Sequence, residues 1–330
     1  MKRKTLFFTA PRQVELREES LPVLGADEVL VETICSAISA GTEMLVYRGQ
    51  FPKLVDAHDT FSSNLNYPMP YGYACVGVVK ETGSQVDKDW RDRLVFGFQP
   101  HTTHFISQTS HLLPTPASLP AETCSFLPNM ETAVNLIQDA APLLGERVMV
   151  FGQGVVGLLT TSLLYEFPIE ILVTSDRFEL RRRASLDIGV NESYALEHIY
   201  QSAYAQDKFD LILELSGNPS SLNDAVALAK FNGRIVVGSW YGEKRAEIDL
   251  GGSFHRSRIK LISSQVSTIA PELSGRWDKA RRFDVAWKAL GMVKPEKWIT
   301  HRFPIEEAAQ AYELLDKNPQ ETIQVLFTYS

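Results

Sequence analysis

Val148-Met149-Val150-Phe151-Gly152-Gln153-Gly154-Val155-Val156-Gly157 decides how this chain is read. The apolar run before the first glycine reads as a strand. The run over residues 155–167, with little polar relief, reads as a buried helix. Between them three glycines stand in the spacing G-x-G-x-x-G. Alone that spacing is weak, but here it joins a strand to a helix, where it has a physical use. Gly152 permits the tight turn, Gly154 lets main chain approach a pyrophosphate, and Gly157 lets the helix lie close to the sheet. The N–H groups opening the helix, at Val155, Val156 and Gly157, then face the phosphates.

The same chemistry asks for an acidic residue about 20 positions on, at the end of the next strand. Asp176 stands there, after Ile171-Leu172-Val173-Thr174-Ser175. Its carboxylate can accept from the ribose hydroxyls of NAD and would repel the 2′-phosphate of NADP. Arg177 follows at once and can pair with such a phosphate instead. Arg181, Arg182 and Arg183 read as a solvated helix face.

Outward from this turn the chain alternates. Strands are expected over 147–151, 170–174, 209–215 and 234–238, and helices over 155–167 and 177–188. That alternation predicts an α/β domain with a doubly wound parallel sheet. The first third differs: short β-branched runs such as 29–34 and 74–79 predict a β-rich domain. After Lys297 a strand (298–302), an Ala-rich helix (305–315) and a final strand (322–327) follow. Residues 52–70 read as a long loop or short helix covering something, a functional lid or a simple insertion.

The 330 residues are 44% apolar and 22% charged, which suits two globular domains. A net charge of −7 argues against a nucleic-acid binder, which needs a basic stripe. The three cysteines, Cys35, Cys75 and Cys124, are scattered and form no C-x-x-C pair, so a reducing compartment is expected. The N-terminal apolar run is too short for a signal peptide, and no stretch approaches a membrane span. These features predict a cytoplasmic protein with no membrane partner.

Several further stretches carry a resemblance. They are Ile38-Ser39-Ala40-Gly41-Thr42-Glu43 with Tyr47-Arg48-Gly49, Pro70-Tyr71-Gly72-Tyr73-Ala74-Cys75-Val76-Gly77, and Asp92-Arg93-Leu94-Val95. Met130-Glu131-Thr132-Ala133, Glu214-Leu215-Ser216-Gly217-Asn218-Pro219 and Gly233-Arg234-Ile235-Val236-Val237-Gly238 complete the set. With the glycine turn, they make nearly the whole chain resemble the medium-chain dehydrogenase/reductase superfamily, the zinc-type alcohol dehydrogenase-like enzymes. Asn129-Met130-Glu131-Thr132-Ala133, Trp240-Tyr241-Gly242 and the run from Phe254 to Val266 resemble its bacteriochlorophyllide hydroxyethyl dehydrogenase subgroup. The resemblance implies a GroES-like substrate domain from residues 1–119 and 297–330, and a Rossmann domain at 120–296. It also implies an active site in the cleft between them, NAD or NADP as cofactor, and a small-molecule alcohol or carbonyl as substrate. A homodimer would pair along residues 258–266. Thr132 matches a position contacting the nicotinamide ring, and Ser216, Gly238 and Ser239 would line that half of the groove.

Zinc members carry Cys, His and a third Cys or Glu. At the matching places this chain has Ala40, Tyr73 and Pro128-Asn129, none supplying the set that catalytic zinc uses. No cysteine cluster follows Arg93 for a structural zinc. His101 and His104 form an H-x-x-H pair, and His58 lies in the long loop, but this spacing is not diagnostic, so no zinc is expected. Hydride transfer then needs a positioned hydrogen-bond donor at the reacting oxygen. Tyr73 is the first candidate, since it replaces a ligand aimed at the reacting centre; core packing is its plain alternative. Glu43 is the second, with a structural carboxylate as its alternative. His101 is a candidate proton shuttle or an incidental core histidine. The expectation is a zinc-independent NAD(P)-dependent alcohol/carbonyl oxidoreductase. An NADPH-dependent quinone or enone reductase and a catalytically inactive cofactor-binding protein are the alternatives. Phe51, Tyr67, Trp240 and Tyr241 hint at an apolar or planar ligand.

Overall fold

The computed structural model describes residues 1–52 and 65–329. His58 and most of the expected covering loop lie outside the described residues. The chain divides into two compact units, Met1–Pro128 with Lys294–Ser330, and Asn129–Val293.

The second unit is built on six parallel strands. In spatial order they are Glu192–Tyr194, Ile171–Ser175, Arg147–Phe151, Phe209–Glu214, Ala229–Val237 and Lys260–Ser263. Arg147–Phe151 is buried along its whole length, and the strand order reverses between it and Phe209–Glu214. Both sheet faces are apolar, and successive residues serve different cores. Val148, Val150, Leu211 and Leu213 pack with Leu136 and Leu164. Met149, Phe151 and Ile212 pack with Leu222 and Val226 on the opposite face. A sheet buried on both faces is what parallel crossovers through helices require.

The first unit holds a three-stranded antiparallel sheet and a larger, mostly antiparallel one. The long strand Glu28–Ile38 is central to the latter, pairing with Cys75–Thr82, His104–Gln108 and Gln324–Thr328. The helix Ala308–Lys317 buries Ala308, Ala311, Tyr312 and Leu315, the stripe expected of an amphipathic helix. The short helix Thr42–Tyr47 buries Glu43 in its first turn.

The partition falls later than residue 119 and earlier than residue 297. Residues 121–127 belong to the first unit because Thr123, Cys124 and Phe126 are buried there. Thr123 donates to Glu296 at 2.7 Å, and Glu122 accepts a two-pronged bond from Arg302. No helix among the described residues is long and apolar enough to cross a membrane.

Candidate functional site

The glycine turn has the geometry its spacing calls for. Gly152 sits at φ +87°, and a Cβ there would lie 2.4 Å from the Leu215 carbonyl oxygen. Only glycine tolerates both conditions. A Cβ on Gly157 would lie 1.9 Å from the Gly152 oxygen, so this glycine lets the helix return tightly onto the turn. Gly154 differs: its φ is −68° and no heavy atom lies closer than 3.8 Å to a Cβ there. The space over Gly154 is therefore open. Gly154 precedes the helix Val155–Tyr165 without a side-chain cap, so no cap side chain takes the first-turn N–H groups of Val155, Val156 and Gly157, groups of the kind that can receive an anion.

Asp176 is buried beside this turn. One carboxylate oxygen accepts from the Gln153 N–H at 2.7 Å, the other from the Phe178 N–H at 2.8 Å. An ionised carboxylate offers about four lone-pair sites, more than these two bonds use. Arg177 is exposed, with its guanidinium 4.3 Å from the Phe178 ring centroid. The solvated-face reading of the later arginines holds for Arg183 alone. Arg182 donates to the Asp176 and Arg177 carbonyls. Arg181 also approaches Phe178, 4.9 Å from its ring centroid, and supplies the atom nearest the Gly154 opening. Sequence reasoning missed this because side-chain direction on a short helix depends on the neighbouring turn.

At the ends of the later strands, Ser216 and Ser239 come together around Glu214. The Ser216 N–H and hydroxyl both donate to one Glu214 carboxylate oxygen, and the Tyr241 hydroxyl donates to the other at 2.6 Å. The Ser239 hydroxyl accepts from the Gly217 N–H at 2.9 Å. A Cβ on Gly238 would strike the Leu136 side chain at 2.5 Å. Thr132 is half-buried on the helix Leu127–Ala140.

In the first unit, Glu43 and His101 meet directly. Both are fully buried, and His101 Nε2 lies 3.0 Å from Glu43 Oε2. The same carboxylate accepts from the Tyr312 hydroxyl at 2.6 Å and the Ser39 N–H at 2.7 Å. His101 Nδ1 lies 2.6 Å from the Ser36 hydroxyl, which lies 2.6 Å from the Tyr329 hydroxyl. A neutral imidazole satisfies every member: Tyr329 donates to Ser36, Ser36 to Nδ1, and Nε2–H to Glu43. Gly72, at φ +115°, lies against the ring, for a Cβ there would meet His101 Cδ2 at 2.6 Å. His101 and Glu43 are thus closed off, and neither presents a polar atom to solvent. Tyr73 differs, being half-buried. Ser39 and Thr42 hydrogen-bond its oxygen, while burial and then the Glu43 charge push its phenol up to about 12.

His104 points elsewhere, with Nδ1 on the Thr103 hydroxyl, so the H-x-x-H pair does not converge. Among the described residues no group of three or more His, Cys, Asp or Glu could hold a metal ion. The side chains at the three zinc-ligand places, Ala40, Tyr73 and Pro128-Asn129, do not fit zinc. Two of the aromatics expected to face a ligand are engaged internally: Tyr67 donates to the Val46 carbonyl, and Tyr241 serves Glu214.

No family model matches the chain. It is 22% identical over 368 residues to the starvation-sensing protein RspB of Escherichia coli (strain K12), covering 99% of both. It is 24% identical over 237 residues to the NAD(P)-dependent L-idonate 5-dehydrogenase of the same strain, over 68% of this chain and 63% of the relative. Its fold matches the RspB alcohol dehydrogenase of Escherichia coli CFT073, solved with NADH, at a TM-score of 0.79 and 21% identity over 99% of each chain. The likeness runs along the length of the chain, and it shows that the chain shares the fold of the alcohol dehydrogenase it matches.

Proposed function

We propose that the protein is an NAD(P)-dependent oxidoreductase that interconverts an alcohol and a carbonyl, with Tyr73 serving the reacting oxygen in place of zinc. The observation that carries the cofactor reading is the open turn at Gly154, with uncapped N–H groups beyond it and Asp176 beside it. Val155, Val156 and Gly157 would hold the pyrophosphate, and Asp176 the ribose. Ser216, Gly238, Ser239 and Thr132 would line the nicotinamide half. The bound nicotinamide supplies a hydride donor or acceptor.

The protein's own part is at the oxygen. Negative charge grows there as a carbonyl is reduced, and a fixed donor in a dry site stabilises it. Tyr73 is a half-buried phenol that stays protonated through the neutral range, with its pKa pushed up to about 12. That value suits a hydrogen-bond donor better than a base, which works best with a pKa near the operating pH. Glu43 and His101 act behind it: they are positioning groups, and their burial keeps them from touching a substrate. In Tyr73→Phe, kcat should fall about 10²–10³-fold on any alcohol or carbonyl the wild type turns over, with cofactor affinity unchanged. An unchanged kcat would sink the role given to Tyr73. A stoichiometric zinc whose removal stops turnover would sink the zinc-free reading.

Arg177 and Arg181 flank Phe178 beside the turn, which supports NADP as a second cofactor. A homodimer would pair along the edge strand Lys260–Ser263, whose Leu261 is 47% exposed. Leu261→Lys should then shift the mass measured by light scattering from two chains to one. A wild type that already runs as one chain refutes the pairing.

A further inference from the structure

The helix Lys279–Val293 buries Arg282, Ala286, Ala289 and Leu290. Position 282 thus belongs to an apolar stripe, yet it holds a fully buried arginine. Its guanidinium is saturated. Nε donates to Glu131 Oε1 at 3.1 Å, and Nη1 donates to the Asn135 side-chain oxygen and, at 3.0 Å, to the Thr268 carbonyl. Nη2 donates to the Val266 carbonyl and lies 3.0 Å from Glu131. Lys279 joins the same Glu131 oxygen and also reaches the Val266 carbonyl. One step earlier in the chain, the Ser264 hydroxyl donates to Asp139 at 2.6 Å and accepts from Asn135 at 2.9 Å.

Everything this network grips lies in residues 264–268, where the last parallel strand has ended. Gln265, Ser267 and Thr268 are exposed there, while carbonyls of the segment turn inward to the guanidinium. Ligands of open parallel sheets bind outside the carboxyl ends of the strands. Gly152 and Asp176 assign the adenosine half to the strands Arg147–Phe151 and Ile171–Ser175. The nicotinamide half therefore falls to the later strands, whose last exit is this segment. Helix packing alone gives no reason to bury a guanidinium, since an apolar side chain would serve as well or better. A planar five-donor fork can hold two carbonyls and a carboxylate at once.

We propose that Arg282, oriented by Glu131, is a positioning residue that fixes the main chain of residues 264–268 for the nicotinamide half of the cofactor. The inference rests on the nicotinamide reading above, and the two can fail separately. The test compares NADH with ADP-ribose, which lacks the nicotinamide, by calorimetric titration of wild type, Arg282→Lys and Glu131→Gln. Arg282→Lys keeps the charge and loses the fork. Glu131→Gln keeps the shape and serves if the arginine variant does not fold. ADP-ribose affinity should stay within about twofold, while NADH weakens about tenfold in both variants. If NADH and ADP-ribose weaken together, or neither changes, the positioning role is overturned. If wild type binds neither ligand, the nicotinamide reading itself falls and takes this one with it.

Discussion

The turn over residues 152–157 and the cluster around Glu43 are both polar, and they are built in opposite ways. In the turn, main-chain donors at Val155, Val156 and Gly157 are left uncapped, and the space over Gly154 is clear. In the cluster, Glu43, His101, Ser36 and Tyr312 are all buried and bonded to one another. A polar group left open at a surface is met by water and can exchange that water for a ligand. A polar group closed inside the protein has already been satisfied. The first region is the one proposed to bind; the second adjoins the half-buried Tyr73, whose oxygen Ser39 and Thr42 hydrogen-bond.

The comparison can be broken from the closed side first. Glu43→Ala strands the His101 N–H, the Tyr312 hydroxyl and the Ser39 N–H in a dry interior. It should cost about 3 kcal/mol or more in urea unfolding, since each buried donor left unpaired costs about 1–3 kcal/mol. Binding of ADP-ribose to the folded fraction should not change. A loss below about 1 kcal/mol would mean the cluster is wetter than its burial implies. From the open side the expected effect is smaller. Asp176→Ala removes the ribose acceptor and the repulsion of a 2′-phosphate, leaving Arg177 and Arg181 in place. The NADH-to-NADPH affinity ratio should fall about tenfold in favour of NADPH. A ratio that stays put would assign Asp176 only to its bonds with Gln153 and Phe178.

The two regions also differ in how far the sequence exposes them. The turn is local: ten consecutive residues carry the strand, the glycines and the helix start. The parallel strands around it were legible for the same reason, Arg147–Phe151 matching to the residue. The place of Asp176 beside the turn was legible because its distance from the turn is set by one helix. The cluster is not local. His101 reaches Glu43 across 58 positions, and Tyr312 reaches it across 269. Glu43 and His101 were visible as candidates, but nothing in the pattern of residues says that they bond each other and that Tyr312, Ser39 and Ser36 take up their remaining polar atoms. Arg282 was hidden more deeply. A charge in a helix reads as a solvated face, and only the packing places this one in the apolar stripe. Arg181 was hidden by direction, since the spacing that puts Arg183 in water also aims Arg181 at the Gly154 opening.

The most direct test of the account is a fluorescence titration of wild type and Gly154→Val with NADH. At Gly154 the backbone angles suit any residue and a side chain has room, so the variant should keep the wild-type unfolding midpoint. Its valine would fill the space through which the pyrophosphate approaches. The account predicts saturable binding to wild type and none to the folded variant. Equal affinity in the two proteins would contradict it.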